Sequence, residues 1–243
     1  MKITFLGTGT SQGVPVIACG CAVCTSTDLK DNRLRTSVMI EQGSTRIVID
    51  SGPDFRQQML RENVKTLDAV VFTHEHKDHI AGLDDVRAFN YFSGNNMDVY
   101  ATLRVQEALK REYHYAFTNS QYPGIPRFDL HTIDKEPFVV KDIKLNPIEV
   151  LHYKLPVLGF RVGGFTYITD ANFITEEEKE KIKGSEILVI NALRREQHIS
   201  HYTLDEALAL IAELKPNTAY LTHISHQLGL HAEVEQELPA NVH

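Results

Sequence analysis

Short apolar runs alternate with polar loops along most of this chain, and many of the runs have the length of a β-strand. Two of them flank Gln42-Gly43-Ser44 and predict a hairpin. A longer run, Leu67–Thr73, is apolar almost throughout and predicts a buried strand. The predicted strands are Lys2–Leu6, Ser37–Glu41, Thr45–Asp50, Leu67–Thr73, Ile143–Val150, Gly159–Val162, Phe165–Thr169, Glu186–Ile190 and Thr218–Thr222.

Helical patterns lie between these strands. Thr203-Leu-Asp-Glu206 is a capping box that opens an amphipathic helix running through Leu214. The other predicted helices are Asp54–Glu62, Ile80–Phe89, Thr175–Lys183 and Ala232–Leu238. Strands and helices occur in both halves, and no long linker divides them. The pattern therefore predicts an α/β fold in one domain over residues 1–243, with two sheets inside and helices outside.

Residues 90–126 fit neither period well. They carry a dense aromatic set that either forms a lid over a substrate or packs into the core. Its members are Tyr91, Phe92, Tyr113, Tyr115, Phe117 and Tyr122.

Composition narrows the class of protein. The chain is 42% hydrophobic and 23% charged, with a formal net charge of -7. Such a balance disfavours broad nucleic-acid binding, which usually shows a basic face. The longest apolar runs fall short of the roughly 20 residues that cross a membrane. Because the chain opens on an apparent strand that turns at Gly7, we expect no signal peptide and a cytoplasmic protein.

The segment that follows Leu67–Thr73 carries the strongest chemical signal. His74-Glu-His-Lys-Asp-His79 reads as H-x-H-x-D-H, with four ligand-type side chains in six residues. Imidazole and carboxylate ligands together suit zinc, manganese or iron better than calcium. His74 and His76 can serve one metal while Asp78 and His79 serve a second, and such an ion pair activates water. The alternative is a polar loop with accidental histidines.

Three further ligand candidates stand at strand ends. His152, Asp170 and His223 each follow a short apolar run, as His74 does. Singly, such a residue is more often a cap or a turn residue. Their shared placement, however, could bring them to one sheet edge, where an aspartate can bridge two ions.

With these residues the chain resembles the metallo-β-lactamase superfamily over nearly its whole length. The resemblance implies a four-layer αβ/βα sandwich with metals at one edge of its two sheets. It implies a first metal held by His74, His76 and His152. A second metal is then held by Asp78, His79 and His223, with Asp170 bridging. His79 at its position is typical of the phosphodiesterase and glyoxalase branches.

The opening segment resembles one group within that superfamily. Gly7-Thr-Gly-Thr-Ser-Gln-Gly-Val-Pro15, the Cys19-Gly-Cys-Ala-Val-Cys24 stretch and Arg33-Leu-Arg-Thr-Ser37 are similar to the phosphoribosyl cyclic phosphate phosphodiesterases of carbon–phosphorus lyase pathways and their relatives. In that group three cysteines and a histidine hold a structural zinc. Cys19, Cys21 and Cys24 match, with His226 as the fourth ligand, and a closed shell of this kind is structural. Three reduced cysteines in a loop are the alternative.

Two histidines remain near a predicted helix start. His198 and His201 lie between a strand and the capping box. The resemblance implies a substrate-contacting histidine here, and its spacing from His223 favours His201. A histidine can protonate a leaving alkoxide or bind phosphate oxygens. The alternative is that His201 is a surface residue beside the helix, with no role in catalysis. We count His201, His198 and Asp78 as candidate catalytic residues.

These observations predict a phosphodiesterase with two zinc or manganese ions and one structural zinc. A hydroxide bridging the two ions would attack the phosphorus of a small phosphodiester, cyclic and ribosyl in the favoured case. The alternatives are an RNA-processing nuclease, a thioester hydrolase and a non-catalytic metal-bound binding module. We expect a small-molecule substrate and neither nucleic acid nor membrane as partner. A homodimer stays open, as does the choice between zinc and manganese.

Overall fold

The computed structural model describes residues 1–118 and 124–243. Its first half forms a six-stranded sheet in the order β1-β2-β3-β4-β5-β6. The strands are β1 Lys2–Gly7, β2 Ser37–Gln42, β3 Thr45–Ile49, β4 Ala69–Val71, β5 Met97–Ala101 and β6 Phe128–Thr132. Pairing is antiparallel from β1 to β3 and parallel from β3 to β6. The predicted hairpin at Gly43 is confirmed.

The second half forms another six-stranded sheet, in the order β12-β11-β10-β9-β8-β7. The strands are β7 Phe138–Val140, β8 Ile143–His152, β9 Leu155–Val162, β10 Phe165–Tyr167, β11 Ile187–Asn191 and β12 Thr218–Thr222. Pairing is antiparallel from β7 to β10 and parallel from β10 to β12. The two sheets thus repeat one plan, an antiparallel side followed by a parallel side.

Alternation along each strand creates the layers, because successive side chains point to opposite faces. Val38 and Ile40 of β2 pack between the two sheets, with Phe160 and Tyr167 from the second sheet. Met39, between them in sequence, packs instead against the helices outside the first sheet. A third apolar cluster joins the second sheet to helices on its far side. The result is the four-layer αβ/βα sandwich that the resemblance implied.

The helices that fill the outer layers are short. They are α1 Phe55–Arg61, α2 Lys77–Ile80, α3 Arg87–Ser93, α4 Leu103–Glu112, α5 Glu176–Ile182, α6 Leu204–Leu214 and α7 His231–Glu237. The capping box at Thr203 and Glu206 is present. It fixes where α6 begins, immediately after the segment that carries His198 and His201.

The single helix predicted over Ile80–Phe89 is wrong. The chain instead forms α2, a 3-10 turn at Leu83–Val86, and α3. Gly82 interrupts the helix because its backbone lies against that of Gly52; an added Cβ would approach the Gly52 carbonyl oxygen to 2.1 Å. Its N–H donates to Ser51 O instead of continuing the helical ladder.

The described members of the aromatic set divide between core and surface, and Tyr115 is among the exposed ones. Tyr113 is buried and donates a hydrogen bond to Ile80 O at 2.6 Å, and Phe117 packs on the first-sheet core. Tyr91 and Phe92 are exposed. Tyr122 lies outside the described residues, so a lid over residues 90–126 stays a prediction. Among the described helices, none has the length and apolar character needed to cross a bilayer.

Candidate functional site

The ends of four strands meet at one edge of the two sheets. The H-x-H-x-D-H segment follows β4, with His74 and His76 in a loop and Asp78 and His79 in α2. The second sheet contributes one residue at the end of β8, one after β10 and one after β12. Those three are His152, Asp170 and His223. Side chains more than 140 positions apart in the sequence therefore converge, as their placement after strands predicted.

One cluster contains four ligand-type side chains, Asp170 and three that surround it. Asp170 Oδ2 lies 3.2 Å from His79 Nε2 and 3.2 Å from His223 Nδ1. Asp78 Oδ2 lies 3.2 Å from His79 Nε2. Both imidazole nitrogens are buried and lack a hydrogen-bond partner among the described residues. Two ligands of a tetrahedral metal with bonds of ~2.0 Å stand about 3.3 Å apart, so these groups fit a shared divalent ion.

A second cluster lies beside the first. His74 Nε2 stands 3.1 Å from His76 Nδ1. The His152 ring centroid is 5.2 Å from that of His76 and 5.9 Å from that of His74. His152 Nδ1 donates to Ser200 O at 2.8 Å, which leaves Nε2 as its free acceptor. The three imidazoles therefore lie side by side next to the first cluster, and Asp170 also comes within 4.8 Å of ligand atoms of His152 and His201.

Asp50 belongs to the candidate site, although the sequence analysis did not single it out. It is fully buried at the end of β3, and its Oδ2 accepts from His79 Nδ1 at 2.7 Å. The Thr73 hydroxyl also donates to Asp50 Oδ2, at 2.9 Å, and lies 2.9 Å from His74 Nδ1. Since the hydroxyl proton goes to the carboxylate, the hydroxyl oxygen accepts from His74 Nδ1–H. Asp50 thus fixes both tautomers, so that His74 Nε2 and His79 Nε2 carry the lone pairs. The only available signal was one more aspartate after a predicted strand.

The histidines and aspartates at this edge of the two sheets shift one another's pKa values. Burial would raise the pKa of Asp170, but the neighbouring His223 and His79 rings hold it well below its usual range. Burial opposes charge on His79 as well, yet Asp78, Asp170 and Asp50 raise its pKa well above that of a free histidine. Burial lowers the pKa of His74, which has no such carboxylate in contact. Asp170 and Asp78, whose pKa values are both lowered, are therefore ionised at neutral pH, as metal ligation requires, whereas burial raises the pKa of Asp50.

Three of these residues hold left-handed backbone conformations. The φ angles are 65° at Asp50, 54° at Asp170 and 54° at His223. Non-glycine residues in this region cost of the order of 1–3 kcal/mol each and cluster at functional sites. Asn191 holds the segment after Asp170, because its side chain accepts from Ala171 N and donates to Ala171 O. The surrounding fold thus maintains a strained edge.

Of the two remaining histidines, His201 lies closer to the clusters. Its Nδ1 stands 3.8 Å from Asp170 Oδ1, and its ring is 4.5 Å from that of His152. Burial lowers the pKa of His201 to about 3, helped by the nearby His223. The ring is therefore neutral at pH 7 in the free protein. His198 is less buried; its ring centroid lies 5.1 Å from that of His201, and its Nδ1 accepts from Ser200 N at 3.3 Å.

The three cysteines and His226 meet on a separate surface. His226 Nδ1 lies 3.3 Å from Cys19 Sγ and 3.2 Å from Cys21 Sγ, and the Cys24 side chain completes the group. A tetrahedral zinc with Zn–S of about 2.3 Å and Zn–N of about 2.0 Å would separate such atoms by roughly 3.5 Å. The Cys24 N–H and the His226 ring lower the pKa of Cys21 to about 6, which favours its thiolate.

The three cysteines and His226 are not brought together by strand ends. A backbone contact between two distant segments places them side by side. Thr10 N donates to Ile224 O, and Ile224 N donates to Thr8 O. These two bonds tie the opening loop to the segment after β12. They set the cysteine loop beside His226.

A family model, solved structures and named relatives match this chain. A family model described as the beta-lactamase superfamily domain matches residues 45–224. A solved structure described as a new diphosphatase from the PhnP family is 40% identical, with a TM-score of 0.92 over 99% of this chain and 92% of the other.

Two curated relatives carry different names. One, named octanoyltransferase, from Porphyromonas gingivalis, is 40% identical over all of this chain. Another, named ribonuclease Z, from Prochlorococcus marinus, is 28% identical over 67% of this chain. The chain spans about half the length of each, 50% and 49% respectively.

Proposed function

Because the chain belongs to the metallo-β-lactamase superfamily and is a metal-dependent hydrolase, we propose that it hydrolyses a small phosphodiester at a dinuclear metal site. The observation that carries this proposal concerns His79 Nε2 and His223 Nδ1, which lie 3.2 Å from Asp170 Oδ2. Both nitrogens are buried and have no hydrogen-bond partner within residues 1–118 and 124–243. Buried polar nitrogens without a partner destabilise the folded protein, and a bound cation that accepted their lone pairs would remove this cost.

We assign the ligands in two sets. His74, His76 and His152 hold one ion. Asp78, His79 and His223 hold the other, and Asp170 lies between the sets with its carboxylate facing both. Asp50 orients the His79 ring and Thr73 orients the His74 ring, each through a hydrogen bond to the Nδ1 atom. Zinc and manganese both suit this mixture of nitrogen and oxygen donors.

Bound there, two divalent ions would neutralise phosphate charge and supply an activated water. The protein's own part is to hold the ligands and to offer His201 to the substrate. A neutral His201 ring can donate an N–H to a phosphate oxygen. A bound phosphodiester anion acts against the lowering of its pKa, because negative charge favours the imidazolium. His201 would then give a proton to the departing oxygen.

The substrate class follows from the site and from the relatives. The diphosphatase relative covers the whole chain at 40% identity, which supports a small phosphate ester or anhydride. RNA cleavage, suggested by the ribonuclease Z relatives, would need a basic surface that a chain of net charge -7 supplies poorly. The octanoyltransferase name belongs to a protein twice as long. The histidines and aspartates gathered here suit water activation better than acyl transfer.

We expect the purified protein to hydrolyse bis(p-nitrophenyl) phosphate when supplied with zinc or manganese. Activity should disappear after removal of metal with a chelator and return when metal is restored, since ligation holds the catalytic charge. Release of nitrophenolate is the measurement. Absence of turnover with either metal, in protein shown to contain two ions, would refute a phosphodiesterase.

We also propose that Cys19, Cys21, Cys24 and His226 hold a structural zinc. Cys21→Ser should remove about one equivalent of metal and lower the melting temperature, while the dinuclear pair remains. Elemental analysis with thermal unfolding tests this. Ile17→Ser, at a 94% exposed position of the same loop, is the matched control and should change neither quantity. Loss of two equivalents from Cys21→Ser would show that our division of the ligands is wrong.

A further inference from the structure

A cavity of about 470 Å³ opens beside the ligand set formed by His74, His76 and His152, against His76 and His152. Its size suits a small organic molecule. The remaining side chains around it include Arg104, Tyr153, Lys154 and Ile199. None of its described lining residues is acidic, although the chain as a whole carries a net charge of -7. The lining therefore carries two cationic side chains, Lys154 and Arg104, of which Arg104 pairs with Glu75.

Lys154 and Arg104, the two cationic side chains of the lining, can both still bind a ligand. Within the described residues, Lys154 forms no ion pair, and its Nζ lies 5.3 Å from the centroid of the Tyr153 ring. Arg104 uses only Nε to contact Glu75, at 2.6 Å. Its terminal amino groups have no partner among the described residues. Both side chains can therefore donate to an anionic group of a ligand.

An exposed aromatic ring stands in the turn that follows a ligand. Strand β8 ends at His152 and β9 begins at Leu155, so Tyr153 and Lys154 form a two-residue hairpin turn. Tyr153 has a φ of 58°, a conformation in which glycine or asparagine is normal and a bulky residue is rare. Asn172 Oδ1 accepts from Tyr153 N at 2.6 Å and holds the turn. The turn thus presents a 49% exposed ring at a conformational cost.

We propose that this cavity binds the organic part of the substrate, and that this part is nucleotide-like. The planar ring of a base would stack on Tyr153, with the 67% exposed Ile199 on the same rim. An anionic group of the same molecule would contact Lys154 and Arg104. The inference rests on the proposed function, in which water adds across a P–O bond of the molecule so placed.

Binding of adenosine 5′-monophosphate to metal-loaded protein, measured by titration calorimetry, tests the proposal without turnover. Tyr153→Gly should weaken binding roughly 5–100-fold, the usual worth of one base–aromatic stack. It should leave the affinity for ribose 5-phosphate, which has no base, unchanged. Because glycine adopts positive φ freely, the melting temperature should stay equal or rise. The variant therefore removes the ring without a folding defect.

Charge is tested separately. Lys154→Gln should weaken both ligands by about 2–5-fold, the range of an exposed ion pair, and Lys154→Arg should keep their affinity. Tyr91→Ala, at an 82% exposed aromatic on α3, is the matched control.

Three outcomes overturn the proposal. They are failure of the nucleotide to bind, unchanged affinity in Tyr153→Gly, and tighter binding of a 3′-extended RNA that depends on the same two residues. Intact nucleotide binding without hydrolysis of any phosphodiester would instead refute the proposed function alone.

Discussion

Asp170→Asn is expected to reduce phosphodiester hydrolysis by roughly 10³-fold or more, since a dinuclear centre supplies several kcal/mol and each 1.36 kcal/mol is tenfold in rate. The amide has one good donor oxygen and no charge. It cannot face His79 and His223 while also offering a charged oxygen to the other ligand set. Steady-state rates, with metal content by elemental analysis, give the measurement.

The comparison variant for this change is Asp205→Asn, at an exposed position in the first turn of α6. It makes the same chemical substitution far from the ligand sets and should keep the rate and the metals. The assignment of Asp170 as the bridge would fail if Asp170→Asn kept both ions and a rate near that of the unaltered protein.

His201→Ala should lower the catalytic rate by roughly 10²–10⁴-fold, the usual worth of a positioned general acid. Metal content should not change, because His201 is not assigned as a ligand. The loss should be large for an alkyl or sugar phosphodiester, whose alkoxide needs a proton. It should be smaller for a nitrophenyl ester, whose phenolate leaves without one.

Two further variants sharpen this result. His114→Ala, at an exposed position outside the site, should have no effect. His198→Ala should have a smaller effect than His201→Ala, because His201 Nδ1 lies 3.8 Å from Asp170 Oδ1, whereas the His198 ring packs against the His201 ring. Equal losses on both kinds of ester would mean that His201 binds phosphate oxygens and does not donate a proton. A full loss at His198 with none at His201 would reverse the assignment.

The sequence predicted those parts of the molecule that depend on local pattern. Every proposed ligand of the dinuclear site stands at the end of a strand formed by an apolar run, or in the loop or short helix that follows such a strand. Such runs have a period of two, or are continuous where both faces are buried, and are legible without tertiary information. The capping box of α6 was legible for the same reason, since both partners lie within four residues.

Other parts depend on contacts between distant segments. Asp50 acquires its role from Thr73 and His79, the latter 29 positions away. The break in the predicted helix depends on the close approach of Gly82 to Gly52. Strand β5 and helix α4 were hidden because the aromatic residues around them suggested a separate lid. Tyr113 instead serves the core beside α2.

The contact between Cys19 and His226 joins positions 207 residues apart. A metal clip at that point would close almost the whole chain into a ring. For a permanent cross-link of that span, the loss of denatured-chain entropy corresponds to about 5 kcal/mol. During synthesis the three cysteines would lack their fourth ligand until β12 and His226 had been made. Metal binding at this site would then be a late step in folding, which fixes the opening loop only after both sheets have formed.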